Sequence, residues 1–503
     1  MMDSKNSKRI AKNTAMLYIR MILMMGVTLY TSRVVLSALG VEDFGLYNVI
    51  GGIIILFSFI NNAMVTSTQR FLNYELGTNN IEAIKRIFSA SVTIHALIAL
   101  FILIAGETFG LYFLHEYINI PPGRETSACW TYQFSILTAC ASIIRAPYNA
   151  LIIAHEKMSF YAYISIIEVF LRLGVAFSLA AFAYDRLILY GILMFLVALL
   201  VSIYYIRYCL SRFPGCHFSF IKDRELYRRL ISFSGWSLFG SMANVGASQG
   251  SNIILNIFYG VAVNAAMGIA NQVNAAIYSF VSNFQTAFNP QIIKLYAAGE
   301  RNSFVNIIMS TSKYSYYMLL LISLPVIICC REVLEIWLGT VPMYTTEFCQ
   351  LMILFSLLDA LSGPLWVSVQ AIGDIKYYQL IIGGVILLNI PIGYAMLFFG
   401  FTPVTVIGLK VMLNAATLAL RIIYLKKKIN FPAKKYIVNV LMLSVLITLL
   451  CAPLPYYLHK VTSGLSGVVI TFAASLSVSA VIITLLGLTR EERRYIKKMI
   501  FGK

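Results

Sequence analysis

Arg33-Val-Val-Leu-Ser-Ala-Leu-Gly40-Val-Glu42-Asp43-Phe44-Gly45-Leu46-Tyr47-Asn-Val49 is a short polar hinge with two glycines, set between two long apolar runs. The runs cover about 13–39 and 45–65. Each is long enough to cross a bilayer, which takes roughly 20 helical residues. Gly40 and Gly45 permit a tight reversal at a membrane surface.

Composition sets the class. Of 503 residues, 59% are hydrophobic and 12% charged, and the mean hydropathy is +0.79. A soluble protein of this size carries about 25% charged residues. The reading is an all-α polytopic membrane protein. Residues 1–12 are polar and basic, and the apolar run after them is too long for a cleaved signal. The net charge of +18 could suggest nucleic acid, but its placement in loops points to a membrane surface instead. The eight cysteines lie mostly inside apolar runs without CxxC spacing. They read as small core residues rather than disulfides or metal ligands.

Apolar runs of about 20 residues predict fourteen spans, near 13–39, 45–65, 88–114, 128–153, 160–183, 187–207, 232–258, 265–288, 305–330, 349–371, 379–400, 406–425, 436–458 and 467–488. Loops on the side of the N-terminus hold 28 Lys and Arg, among them Lys5, Lys8, Arg9, Lys12, Arg207 to Arg229 and Lys426 to Lys428. The opposite side holds four: Arg124, Arg186, Arg331 and Lys460. The positive-inside rule then expects both termini in the cytoplasm.

The longest basic loop divides the chain. The expected plan is an N-lobe over 1–206, a linker over 207–231, a C-lobe over 232–425, and two added helices with a basic tail over 426–503. A weak repeat supports it. Gln69-x4-Tyr74-x2-Gly77-x2-Asn80 recurs as Gln291-x4-Tyr296-x2-Gly299-x2-Asn302, and Pro147-x6-Ala154-x6-Tyr161 as Pro364-x6-Ala371-x6-Tyr378. Gly40-Val41 falls opposite Gly260-Val261. Six spans per repeat keep both halves in one orientation, and transporters commonly bind substrate between such halves.

Charges inside spans need partners or a watery cavity. Seven cations qualify: Arg20, Arg33, Arg145, Arg172, Lys313, Lys410 and Arg421. For Arg20, Lys410 and Arg421 the plain reading is snorkelling to headgroups; Arg33, near a span end, reads equally as snorkelling or cavity-lining. Arg145 precedes Pro147, and Arg172 has Glu168 one turn before it, which allows a local ion pair. Lys313 has no obvious partner. Asp359 could counter it, or hold a coupling proton or cation; Glu168 is the other candidate counter-charge. Amides gather in spans seven and eight, including Asn252, Asn256, Asn271, Gln272 and Asn274, and span two adds Asn61 and Asn62. Single amides there usually bond helix to helix, but so many suggest a hydrated cavity. Amides suit hydroxyl-rich ligands and arginines suit phosphates.

Asn13-Thr14 at the start of the first span, followed by Leu39-Gly40-x-Glu42-Asp43-Phe44-Gly45-Leu46-Tyr47, resembles polysaccharide-unit flippases of the O-antigen (Wzx) type. Arg145-Ala-Pro147 and Ala154-His-Glu156-Lys157-Met158 look like theirs too. That group sits with MATE multidrug exporters in one superfamily. The resemblance implies a V-shaped pair of six-helix bundles opening alternately to each side of a bacterial inner membrane. It implies an undecaprenyl-diphosphate-linked oligosaccharide as substrate, moved to the periplasmic leaflet for O-antigen, capsule or exopolysaccharide assembly. Polysaccharide polymerase and chain-length proteins are the partners it implies, besides membrane lipids. On this reading Arg145, Arg172, Arg33 and Lys313 offset the diphosphate, and the amides contact sugar. Neither cofactor nor nucleic acid is expected. The rivals are a cation- or proton-coupled drug exporter and a membrane glycosyltransferase or polymerase. The first should carry more mid-membrane carboxylates. The second usually presents catalytic groups on large outer loops, and the outer loops here are short.

Overall fold

In the computed structural model, all residues are described except 1–3, 117–119, 121, 180–184, 215, 463, 490–491 and 494–503, and except the side chains of 4–12, 29, 41, 48–49, 51–60, 62 and 261. Asn62, the basic residues Lys5 to Lys12 and the tail beyond Arg493 therefore lie outside the described side chains. The described residues form helices and no strands. In chain order these are α1 (Ser4–Thr78), α2 (Ile81–Glu116), α3 (Glu125–Ala154), α4 (Met158–Ser178), α5 (Arg186–Arg212), α6 (Arg224–Ala297), α7 (Arg301–Ile328), the short α8 (Cys330–Leu338), α9 (Thr345–Ile372), α10 (Lys376–Phe398), α11 (Pro403–Ile429), α12 (Ala433–Val461) and α13 (Gly464–Gly487). The chain is an all-α, multi-pass membrane protein.

Eleven helices among the described residues are long and apolar enough to cross a membrane. The remaining three expected spans fall within α1 and α6, each of which is two helices joined at a sharp break. The break in α1 is at Gly40 (φ 81°, ψ 171°) and that in α6 at Gly260 (φ 75°, ψ −168°). This backbone region is essentially closed to residues with a Cβ. Span 45–65 includes ten residues, 51–60, whose side chains are not described. The two halves of α6 carry the amide cluster, which lowers their hydropathy. The fourteen-span reading is consistent with this arrangement.

The chain forms two compact units. The first comprises Asp3–Ser241 with Ile293–Gly299, and the second Met242–Ile292 with Glu300–Lys503. In the first, small residues bring helices close, as packing within a membrane requires. Gly191 of α5 lets its backbone approach Thr131 of α3, where an added Cβ would lie 3.4 Å from the Thr131 Cα. Ser202 Oγ donates to the Ala141 carbonyl at 3.2 Å and Thr131 Oγ1 to the Leu187 carbonyl at 3.3 Å. Tyr132 Oη donates to the Gly106 carbonyl at 2.8 Å, across to α2.

The hinge at Gly40 is held by charge. Arg124 offers one terminal nitrogen to Asp43 and the other to Asp185 at 2.8 Å. Asp185 also accepts from Ser127 Oγ at 2.6 Å and caps α5 through the Leu187 and Ile188 N–H groups. Burial holds the Asp43 carboxyl above its ordinary value, with Arg124 opposing. Burial also pushes Asp185 up, but its hydrogen bonds and Arg124 outweigh that and leave it lower than usual. Arg186 Nη1 donates to the Ala38 carbonyl at 2.9 Å, tying α5 to the chain just before the break.

Gly40→Ala and Gly260→Ala are each expected to destabilise their unit by about 1–3 kcal/mol, measured as thermal unfolding in detergent. Gly26→Ala is the control, because Gly26 is an ordinary helical glycine with open space around it. Equal effects in all three variants would remove the hinge from the account.

Candidate functional site

A cavity of about 380 Å³ lies inside the first unit. Four helices build it, each by its own periodicity. Tyr161, Ser165, Glu168 and Arg172 recur at three- and four-residue steps and so line one face of α4. Arg20, Met24, Thr28, Thr31 and Val35 do the same for the first half of α1, and Tyr47 enters after the hinge. Arg145 and Asn149 come from α3, one turn apart around Pro147, and Tyr190 and Tyr205 from α5. Proline frees a carbonyl at this level of α3.

Glu168 is the electrostatic centre. Its Oε2 lies 3.2 Å from Arg145 Nη1 and its Oε1 2.6 Å from Arg172 Nη2. Arg20 is the third guanidinium, stacked 4.5 Å from the Tyr161 ring centroid. Arg145 also lies over Tyr205, at 5.4 Å. The cavity lining therefore carries three positive charges and one carboxylate. Arg145 and Glu168 are mostly buried, while the Arg172 side chain is 45% exposed. Arg20 Nε and Asn149 Oδ1 are buried with no protein partner. Such groups are costly to leave unpaired, so the cavity offers unused donors and acceptors beside an excess of positive charge. Multidentate arginine contacts of this kind fit phosphate or carboxylate groups.

The other residues singled out from sequence fall elsewhere. Arg33 is exposed on α1 and does not line this cavity. Lys313, in the second unit, is taken by Glu492: its Nζ sits 2.9 and 2.8 Å from the two carboxylate oxygens. Glu492 belongs to a capping turn after α13, accepting from Thr489 N at 2.7 Å. Asp359 is therefore not the counter-charge of Lys313, and the Arg421 Nε and Tyr378 Oη atoms are buried without a partner. Lys410 Nζ lies 5.1 Å over the Phe355 ring and 3.9 Å from Met352 Sδ.

The amides divide. Asn252 and Asn256 share an open groove of about 430 Å³ with Gln249 and Asn264, on either side of the Gly260 break. Asn252 Nδ2 donates to Gln249 Oε1 at 3.2 Å, while Asn252 Oδ1 and Asn264 Oδ1 are buried without partners. Asn274 is used structurally, accepting from Ser356 Oγ at 2.5 Å. Asn271 and Gln272 do not line the groove, and Asn61 is half-buried in α1.

Sequence reasoning missed Arg20, the four tyrosines and Asn264. Arg20 lies two turns from the end of its span, where snorkelling is the ordinary reading. The signal was the face it shares with Met24 and Thr28, four and eight residues along the helix.

No family model and no curated protein matches the sequence. Solved structures do match. An outward-facing multidrug resistance MATE family transporter of the MOP superfamily superposes with a TM-score of 0.72 at 12% identity, over 84% of this chain and 96% of that one. A MOP superfamily transporter from Pyrococcus furiosus, described as having a binding pocket of reverse polarity that suggests a different function, gives 0.70 at 13%, over 86% and 96%. A point mutant of the Vibrio cholerae MATE transporter VcmN gives 0.68 at 14%, over 85% and 99%.

Lys313→Met should destabilise the second unit by about 2–4 kcal/mol, because it strands a largely buried carboxylate. Lys313→Met with Glu492→Met should recover most of that loss in a denaturation series. A double variant as unstable as the single one would mean that the pair itself is not the source. At identities of 12–14% the comparisons speak to architecture, and this chain has the fold of the MATE transporters.

Proposed function

We propose that the protein is a flippase that carries an undecaprenyl-diphosphate-linked oligosaccharide from the cytoplasmic to the periplasmic leaflet by alternating access. The observation that carries this reading is the charge of the cavity in the first unit. Two arginines pair with its single glutamate, and a third, Arg20, lines the same space of about 380 Å³. A diphosphate brings two negative charges to such a site and meets donors already oriented by Glu168. Ligand pockets run from about 300 to 1,000 Å³, so this one suits a diphosphate end better than a whole oligosaccharide. The amide groove of Gln249, Asn252, Asn256 and Asn264 is uncharged and holds unpaired acceptors, which is the chemistry that reads sugar hydroxyls. The lipid tail stays in the bilayer.

The membrane in this reading is the bacterial inner membrane, with both termini cytoplasmic because the basic loops share one side. Polysaccharide polymerase and chain-length proteins act on the product. A drug exporter remains the second reading, favoured by Glu168 beside four tyrosine rings, a setting that could hold an organic cation. Two arginines already occupy that carboxylate, and a further cation in the cavity would be repelled.

Inverted vesicles loaded with labelled lipid-linked oligosaccharide provide the test. Arg145→Ala and Arg172→Ala should each slow transport about tenfold to a hundredfold, the worth of one charge-assisted contact of roughly 1.5–3 kcal/mol. Unchanged transport in the double variant would sink the phosphate assignment. Efflux of a cationic dye that depends on Glu168 but on neither arginine would favour the exporter.

A further inference from the structure

The repeated motif found in the sequence is not used by the substrate reading, yet its two copies meet. Helix α6 changes units near its end: Met242–Ile292 belongs to the second unit and Ile293–Gly299 to the first. Pro290 lies inside the helix three residues before the change, at a point where an intrahelical hydrogen bond is lost. The last turn packs on the end of α1. A Cβ on Gly77 would fall 2.5 Å from the Lys294 carbonyl oxygen and 2.8 Å from the Ala297 Cβ, so only glycine allows this approach. Tyr74 and Gly77 of the first copy thus face Lys294, Tyr296 and Ala297 of the second.

The Lys294–Glu156 ion pair ties this turn to the loop after α3. Lys294 Nζ lies 2.7 Å from Glu156 Oε1, and the Glu156 side chain is only 2% exposed. Glu156 sits in the turn between α3 and α4 with φ at +58°, a strained setting for a residue with a Cβ. Its carbonyl accepts from Asn13 Nδ2 at 3.3 Å, which brings in the start of α1. Burial, with Lys294 and Lys157 adding to it, holds the neighbouring His155 down to about 4. His155 is therefore neutral near pH 7 and does not compete for the carboxylate. Positive φ at a buried, charged turn residue marks strain of the kind that gathers at switches.

We propose that the Glu156–Lys294 pair and the Gly77 contact form a releasable clasp, docking the last turn of α6 on the first unit in one state of the transport cycle and freeing it in another. The clasp rests on the reading of the protein as an alternating-access transporter, whatever its cargo. The ion pair and the glycine contact suit it to reversible use, since both can part without unfolding either helix. Pro290 supplies the place at which α6 can bend when its end lets go.

Hydrogen exchange in nanodiscs reads the clasp without any substrate. Glu156→Gln and Lys294→Met should each speed amide exchange in 293–299 at least tenfold, leaving the body of α6 unchanged. The exchanged pair Glu156→Lys with Lys294→Glu should return it to within about threefold of the parent, which separates a lost clasp from a misfolded turn. Unaltered exchange in both single variants overturns the proposal. A cross-link then asks whether release is needed. Glu156→Cys with Lys294→Cys, joined by a short bifunctional thiosulfonate reagent, should lose transport at least tenfold and regain it with dithiothreitol. Full transport by the cross-linked protein overturns the proposal as well. Should the parent move a cationic dye and not the lipid-linked oligosaccharide, the flippase reading fails, and the same cross-link read with the dye still decides the clasp.

Discussion

A charge among apolar helices must be partnered, and in this protein the partners are what join one helix to another. Arg145 and Arg172 converge on Glu168 and bring α3 to α4. Arg124 spans Asp43 and Asp185 and fastens the hinge of α1 to the starts of α3 and α5. Lys313 takes Glu492 from beyond the last helix, and Lys294 takes Glu156. Removing water raises both the cost of each unpaired charge and the strength of each pair. These contacts therefore specify which helices meet more sharply than apolar packing can, where lipid competes on nearly equal terms.

The same constraint separates structural charges from available ones. Glu492 offers both its oxygens to Lys313, and Asp185 is held by Ser127, Arg124 and two backbone N–H groups. These sites are complete. The cavity around Glu168 is not, since three guanidinium groups and one carboxylate line it and buried atoms of Arg20 and Asn149 have no protein partner. Incomplete satisfaction inside a fold is where a ligand has something to add.

The two helix breaks share a geometry but not a setting. Gly40 and Gly260 have nearly the same backbone geometry, yet among the described residues only the first is braced by an ion-paired cluster. After Gly260 the chain reads Val261-Ala-Val-Asn264 and carries no acid; there Tyr259 Oη donates to the Phe401 carbonyl at 3.1 Å. The two hinges thus sit in different settings: an ion-paired one beside the cationic cavity and an amide-rich one in the second unit.

Much of the architecture was legible in the chain. Hydropathy shows the long helices, because a membrane requires about 20 apolar residues whatever their neighbours are. Gly40 and Gly260 showed the breaks, since only glycine enters that region of backbone space. The i to i+4 spacing of Glu168 and Arg172 showed their pairing. Contacts between distant helices were not legible. Nothing local links Lys313 to Glu492, 179 residues later, or Glu156 to Lys294, 138 residues later. Arg20 reads as a snorkelling residue in one dimension and lines the cavity in three. The sequence by itself determined the class and the hinges, both of which follow from local backbone freedom and transfer to lipid. Only the tertiary structure decided which charges cancel and which stay available, because that depends on which helix faces are brought within a few ångströms of each other.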